Sequence, residues 1–117
     1  MAYDIDGTRG RVNKYVLAGQ EYFSVFTESG KYRAGEVHPH KKYLVVLYGE
    51  IQMKLKDEGK DVDSTIKPNK IVTINENTPH MFYFPVDTVL LEWWDGEFVY
   101  EHYPEYRKMV EEGNENA

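Results

Sequence analysis

His38-Pro39-His40 carries more potential chemistry than any other stretch of this sequence. On a strand, residues i and i+2 point to one face, which would set the two imidazoles ~7 Å apart on one side of a sheet. Neutral imidazole ligates Zn, Fe, Ni, Cu and Mn, and near neutral pH it is also a general base. A third histidine, His80, opens a strand directly after Thr78-Pro79, some forty residues downstream. That separation lets antiparallel strands of a small barrel return to the same rim. Three of the four histidines thus fall at two places that can converge, and three histidines with open positions suit a metal centre. The blander alternative is a pair of surface histidines beside Lys41-Lys42 and a core histidine held by backbone groups.

Composition narrows the rest. The chain has 117 residues, one domain's worth, with 14 Lys+Arg against 20 Asp+Glu and a net charge of −6. An acidic chain offers no basic field to nucleic acid or anionic lipid. With no cysteine, disulfides, thiolate metal sites and a Cys nucleophile are excluded, so any metal must rest on nitrogen and oxygen. No apolar run approaches the ~20 residues that span a bilayer, and Met1-Ala2-Tyr3-Asp4 lacks a signal peptide's basic and apolar regions. The expectation is a cytoplasmic protein with a small-molecule ligand, no nucleic acid and no membrane.

The elements that must position the histidines read as strands. Phe23, Val25 and Thr27 alternate with Tyr22, Ser24 and Phe26, and Ile51, Met53 and Leu55 with Gln52, Lys54 and Lys56. Further strands are expected over 12–18, 31–40, 62–67, 71–74, 80–84 and 88–94, and over Tyr43–Tyr48, whose apolar run suits burial on both faces. The polar residues 4–12 suit an arm or short edge strand. Pro104 fits a helix start and Gly113 a stop, giving a helix over about 104–112 and a frayed tail over 114–117. Many short strands followed by one helix predict an all-β sandwich or barrel, a single domain over 1–117 with the barrel at about 12–100.

Over residues 22–94 the sequence resembles the cupins. Gly35-Glu-Val-His38-Pro-His40, then Tyr43 to Gly49-Glu50, is similar to their first motif. Asn69 and Ile74-Asn75-Glu76-Asn77-Thr78-Pro79-His80 are similar to the second, with Asn77 at a glycine position where positive φ is tolerated. The resemblance implies a small antiparallel jelly-roll β-barrel, a homodimer, and a site in the barrel mouth with a divalent metal (Zn, Ni, Mn or Fe) on His38, His40 and His80. The family's metal-ligating glutamate falls on Lys42, whose charge repels a cation. A looser resemblance, of His38-Pro-His40-Lys41-Lys42 to the HxHKK of nucleotide-sugar ketoisomerases, implies carbohydrate-related chemistry without metal. There His40 and His38 would act as acid/base, with Lys42 holding an oxygen or phosphate.

Around this site, Tyr48, Gln52, Phe82 and Arg33 are the candidate substrate contacts. Glu50 is the acid best placed to lie nearby, Glu92 is expected at the surface, and His102 is expected to be a surface residue away from the motifs. The leading expectation is a metal-dependent cupin, of oxygenase or isomerase type, acting on a small polar or anionic substrate. The alternatives are the metal-free isomerase or epimerase and a non-catalytic small-molecule binding module.

Overall fold

Strands with one apolar and one polar face must bury the apolar one, and here they do so by facing each other as two sheets. The structure, a computed structural model, describes residues 2–3 and 10–115. Residues 4–9 of the expected arm and the last two of the expected tail lie outside the described residues. The strands are β1 (Ala2–Tyr3), β2 (Gly10–Leu17), β3 (Gln20–Thr27), β4 (Lys31–Val37), β5 (Lys42–Tyr48) and β6 (Ile51–Asp57). They continue with β7 (Lys60–Ile66), β8 (Ile71–Ile74), β9 (His80–Phe84), β10 (Thr88–Trp94) and β11 (Glu101–His102), and the helix α1 (Pro104–Glu115) follows. One sheet runs β1-β2-β3-β10-β5-β8 and the other β11-β4-β9-β6-β7. Every pairing is antiparallel. The architecture is the expected all-β jelly roll with a short C-terminal helix.

The core fills the space between the sheets. Val25, Leu44, Val46 and Leu90 meet Ile51, Met53, Phe82 and Phe84 across it. The alternation expected for β3 holds, with Phe23, Val25 and Thr27 buried. The Tyr43–Tyr48 run differs from expectation. It is not buried on both faces: Lys42, Leu44 and Val46 point inward, while Leu47 and Tyr48 are about half exposed, at 49% and 53%. Its outer face belongs to an antiparallel sheet that nothing in the described chain covers, so alternation returns.

The outer face of the second sheet is covered by α1, through Tyr106 and Val110 against Met81. The helix runs past Gly113, which does not act as a stop. A Cβ at Gly113 would stand 2.4 Å from the Tyr32 ring, so glycine here permits close packing on β4. Asn114 then continues the helix because its side chain accepts from Tyr32 N at 2.8 Å and donates to Tyr32 O at 3.0 Å.

Candidate metal centre in the barrel

A β-bulge in β4 aims the site. Arg33 pairs with Phe82 and Glu36 with His80, so β4 carries one residue more than β9 between these pairs. Phe82 and His80 share a face. Arg33 and Glu36, three apart in sequence, are therefore turned to the same face. Ala34 (φ 73°) and Gly35 (φ 77°) supply the left-handed conformation. Gly35 also has no room for a side chain: a Cβ there would lie 2.7 Å from Arg107 Cα. β4 ends at Val37, and His38 leads into Pro39, which has no N–H to continue the ladder. The His38 carbonyl instead accepts from Asn77 N at 2.7 Å, which ties the β4–β5 crossing to the turn that launches His80. Asn77 adopts φ 57°, as its motif position requires.

Three side chains meet here. Glu36, His38 and His80 each place one ligand atom within 4.8 Å of the other two. His38 Nδ1 donates to Val99 O at 2.9 Å, and His80 Nδ1 donates to Thr78 O at 3.0 Å. Each imidazole thus carries a proton on Nδ1, and in His80, whose ring is held neutral by burial, the lone pair lies on Nε2. Both Nε2 atoms are buried without a hydrogen-bond partner. His38 Nε2 lies 3.3 Å from Glu36 Oε1, an ion-pair distance without hydrogen-bond alignment. Burial pushes the Glu36 carboxyl up, but the imidazole of His38 and the charge of Lys42 outweigh it and bring its pKa down to about 2. Burial, reinforced by Lys42, lowers His80 to about 3. The cluster is therefore one carboxylate and a neutral His80 at neutral pH, beside the proton-on-Nδ1 ring of His38. Imidazoles oriented by backbone acceptors with Nε2 left open are the usual preparation for a metal ligand.

Lys42 is 2% exposed on the same interior. Its Nζ is 3.1 Å from Glu92 Oε1 and stands over Phe82 and Trp94, 4.9 and 5.2 Å from their ring centroids. Such a charge is kept buried by a counterion and two ring faces. Glu36, Lys42 and Glu92 line a cavity of about 450 Å³ between the sheets, walled by Phe23, Phe82 and Leu90. That volume is in the range of small-molecule sites.

By sequence, the chain matches no protein-family model and no curated protein. By structure, it is similar to the capsular polysaccharide assembling protein CapF from Staphylococcus aureus, with TM-score 0.69 and 13% identity, covering 80% of this chain and 32% of that one. It is similar to an oxalate decarboxylase variant from Bacillus subtilis, with TM-score 0.66 and 14% identity, covering 74% of this chain and 25% of that one. A 3,4-ketoisomerase from Helicobacter canadensis is similar at TM-score 0.64 and 20% identity, covering 77% of this chain and 74% of that one. The chain has the cupin fold. It spans about a third of CapF and a quarter of the decarboxylase, and at these identities the likeness carries the fold alone.

Within this cupin barrel the candidate residues separate. His38 and His80 come together, with ring centroids 5.3 Å apart. His40 does not join them: its ring packs at Gly96, where a Cβ would lie 2.8 Å from it. The bend at Pro39 removes the shared strand face that HxH relies on. Phe82 and Arg33 line the cavity, Arg33 donating to Thr27 Oγ1 at 2.7 Å. Tyr48 is exposed on the outer face of the first sheet. Gln52 faces a groove beneath α1 with Tyr32 and Met109, outside the barrel. Glu50 pairs with Lys67 at the surface. Glu92, expected at the surface, is the interior partner of Lys42. His102 lies opposite Glu36 on β11 and lines the cavity mouth. Glu36 itself is the functional candidate that sequence reasoning missed. The i, i+2 rule applied to Glu36 and His38, instead of His38 and His40, would have found it.

Proposed function

We propose that this cupin binds one divalent metal ion on Glu36, His38 and His80 and acts on a small polar or anionic molecule held in the barrel cavity. The observation that carries this reading is the pair of buried Nε2 atoms without hydrogen-bond partners, beside a carboxylate, with both Nδ1 protons committed to carbonyls. Buried polar atoms are otherwise paired. Two imidazoles and a carboxylate with open positions suit Fe, Mn, Zn or Ni. When bound, such an ion supplies Lewis-acid polarisation of a substrate oxygen. Of the chain's own residues, Lys42 lines the cavity and offers the substrate a balanced positive charge. The uncovered face of the first sheet, with Tyr15, Leu17, Leu47 and Ile71 exposed, supports pairing of two copies.

Metal analysis of protein purified without chelators tests the reading. About one equivalent per chain is expected, lost in His80→Ala and Glu36→Gln. Less than ~0.1 equivalent, with no uptake of Zn, Ni, Mn or Fe, sinks it.

The buried ammonium of Lys42, which lines the cavity, supports a second reading, an isomerase of keto-sugars without metal in which Lys42 holds the carbonyl oxygen and His38 moves the proton. Exchange into heavy water of a C–H α to the carbonyl of a 4-keto nucleotide sugar, abolished in His38→Ala, would favour it over the metal.

A further inference from the structure

The barrel cavity is polarised from end to end. Three cationic residues, Arg33, Lys42 and Arg107, line it against two carboxylates, Glu36 and Glu92. The lining thus has a net charge of +1 in a chain of −6. Inside, Lys42 is spent on Glu92. At the mouth the balance differs. Arg107 reaches the rim from α1, where its Nε donates to Glu111 at 3.2 Å and its Nη1 to the carbonyl of bulge residue Ala34 at 3.0 Å. Its Nη2 has no partner among the described residues. The packing of α1 on Gly35 fixes the height of this guanidinium over the bulge.

Two more donors reach the same rim from other elements. His102 is the cross-strand partner of Glu36, and such partners share a face. Tyr100 packs beside it, its ring tilted by 41° with centroids 5.5 Å apart. Both line the cavity, and neither side chain makes a hydrogen bond among the described residues.

We propose that Tyr100, His102 and Arg107 form a seat for an oxyanion, a carboxylate or phosphate group, at the mouth of the cavity. This rests on reading the cavity as the ligand site. The seat fixes the ligand's direction. Deeper in the cavity Lys42 is already neutralised by Glu92, whereas the rim guanidinium attracts an anion, so the charged end stays at the mouth. The body of the ligand lies inward against Phe23 and Leu90, and its far end reaches the Lys42–Glu92 pair. The substrate class is a small molecule with one oxyanion joined to an apolar or ring-shaped body.

Three probes of one shape test this: phenylacetate, phenyl phosphate and the neutral phenylacetamide. Each is titrated into metal-loaded and metal-free protein by calorimetry and by amide NMR. At least one anion is expected to bind about tenfold or more tightly than the amide, a charge-assisted pair being worth that much. The order of the two anions identifies carboxylate or phosphate as the natural group. Shifts should cluster on Tyr100, His102 and Arg107. Arg107→Met should bring anion binding down to that of the amide with metal content unchanged. His102→Ala, on an exposed two-residue strand, provides a second variant that does not test folding. Equal binding of anions and amide, no anion binding up to about 10 mM, or full anion binding in both variants overturns the seat. Metal content is read on the same samples. Anion preference without metal uptake upholds the seat and refutes the metal reading, and metal uptake without anion preference does the reverse.

Discussion

Lys42→Met should move stability and metal affinity in opposite directions. Lys42 Nζ lies 4.9 Å from the Phe82 centroid, which is 5.5 Å from that of His80. The ammonium is therefore within about 10 Å of the His80 ring. At that distance a unit charge and a divalent ion repel by about 3 kcal/mol at an effective dielectric constant of 20, and by under 1 kcal/mol in water. Removing the lysine also leaves Glu92 unneutralised, so the formal charge of Glu36, Lys42 and Glu92 together goes from −1 to −2. This single loss of positive charge favours a cation. The metal should bind roughly 5- to 150-fold more tightly.

The metal-free variant should be less stable. It strands the Glu92 carboxylate, which is 16% exposed, without its partner, a loss of about 3 kcal/mol for a buried pair broken on one side. Lys42→Met/Glu92→Leu should recover most of that, because replacing both members leaves no orphaned charge. Urea unfolding of the metal-free proteins gives the stabilities, and competition with a chelating dye gives the affinities. Unchanged or weaker metal binding in Lys42→Met would falsify the placement of the metal beside this lysine. Equal stability of the single and double variants would refute the account of the pair.

Acid should unfold the protein from below pH 6.5. His80 has its folded pKa lowered from 6.5 to about 3, so the unfolded chain takes up a proton that the folded one excludes, and stability falls as pH drops between those values. The slope approaches one proton, about 1.4 kcal/mol per pH unit. Glu36, lowered from 4.5 to about 2, adds stability above 4.5 that is lost as pH falls toward 2. A flat urea midpoint from pH 7 to 5, or the same slope in His80→Gln, contradicts this. Gly35→Ala should cost about 2–4 kcal/mol, since a Cβ would meet the backbone of Arg107 at 2.7 Å in a left-handed conformation; a midpoint equal to wild type would mean that α1 does not pack as described. Asn114→Ala should cost about 1–2 kcal/mol by removing two hydrogen bonds to Tyr32, seen as faster amide exchange in the last turn of α1, and unchanged exchange there would refute it.

Most strands were legible because period-2 alternation is a local property: 71–74, 80–84 and 88–94 match the structure residue for residue. What was not legible depends on the third dimension. The two-residue β11 exists only because Glu101 and His102 find Val37 and Glu36. The continuation of α1 past Gly113 depends on Asn114 meeting Tyr32. At the site, His38 and His80 stand out in the sequence, while the third ligand, Glu36, is marked only by standing two residues before His38. A bulge shifts the parity of β4 between Arg33 and Glu36, and Ala34, an ordinary residue, gives no local sign of adopting φ 73°. Pro39 did carry a signal, since a proline between two histidines ends the strand that would have aligned them.

That displacement of the carboxylate also explains how a lysine can stand where the resemblance places a ligating glutamate. If Lys42 were alone, its charge would oppose any cation on the neighbouring imidazoles. Glu92, opposite Leu44 and next to the Lys42–Trp94 pair on β10, neutralises it. Glu36, brought inward by the bulge, restores the anionic ligand from the other sheet. The proposed site thus keeps one net negative charge for a divalent ion. The exchange leaves it with an ammonium facing the cavity, which a site with the glutamate in that place would lack. With the ammonium already balanced by Glu92 and a guanidinium at the mouth, the cavity favours a substrate with one negative group, held at the mouth, and a neutral oxygen at its inner end. The acidic surplus of the chain lies outside this cavity, whose lining is net positive.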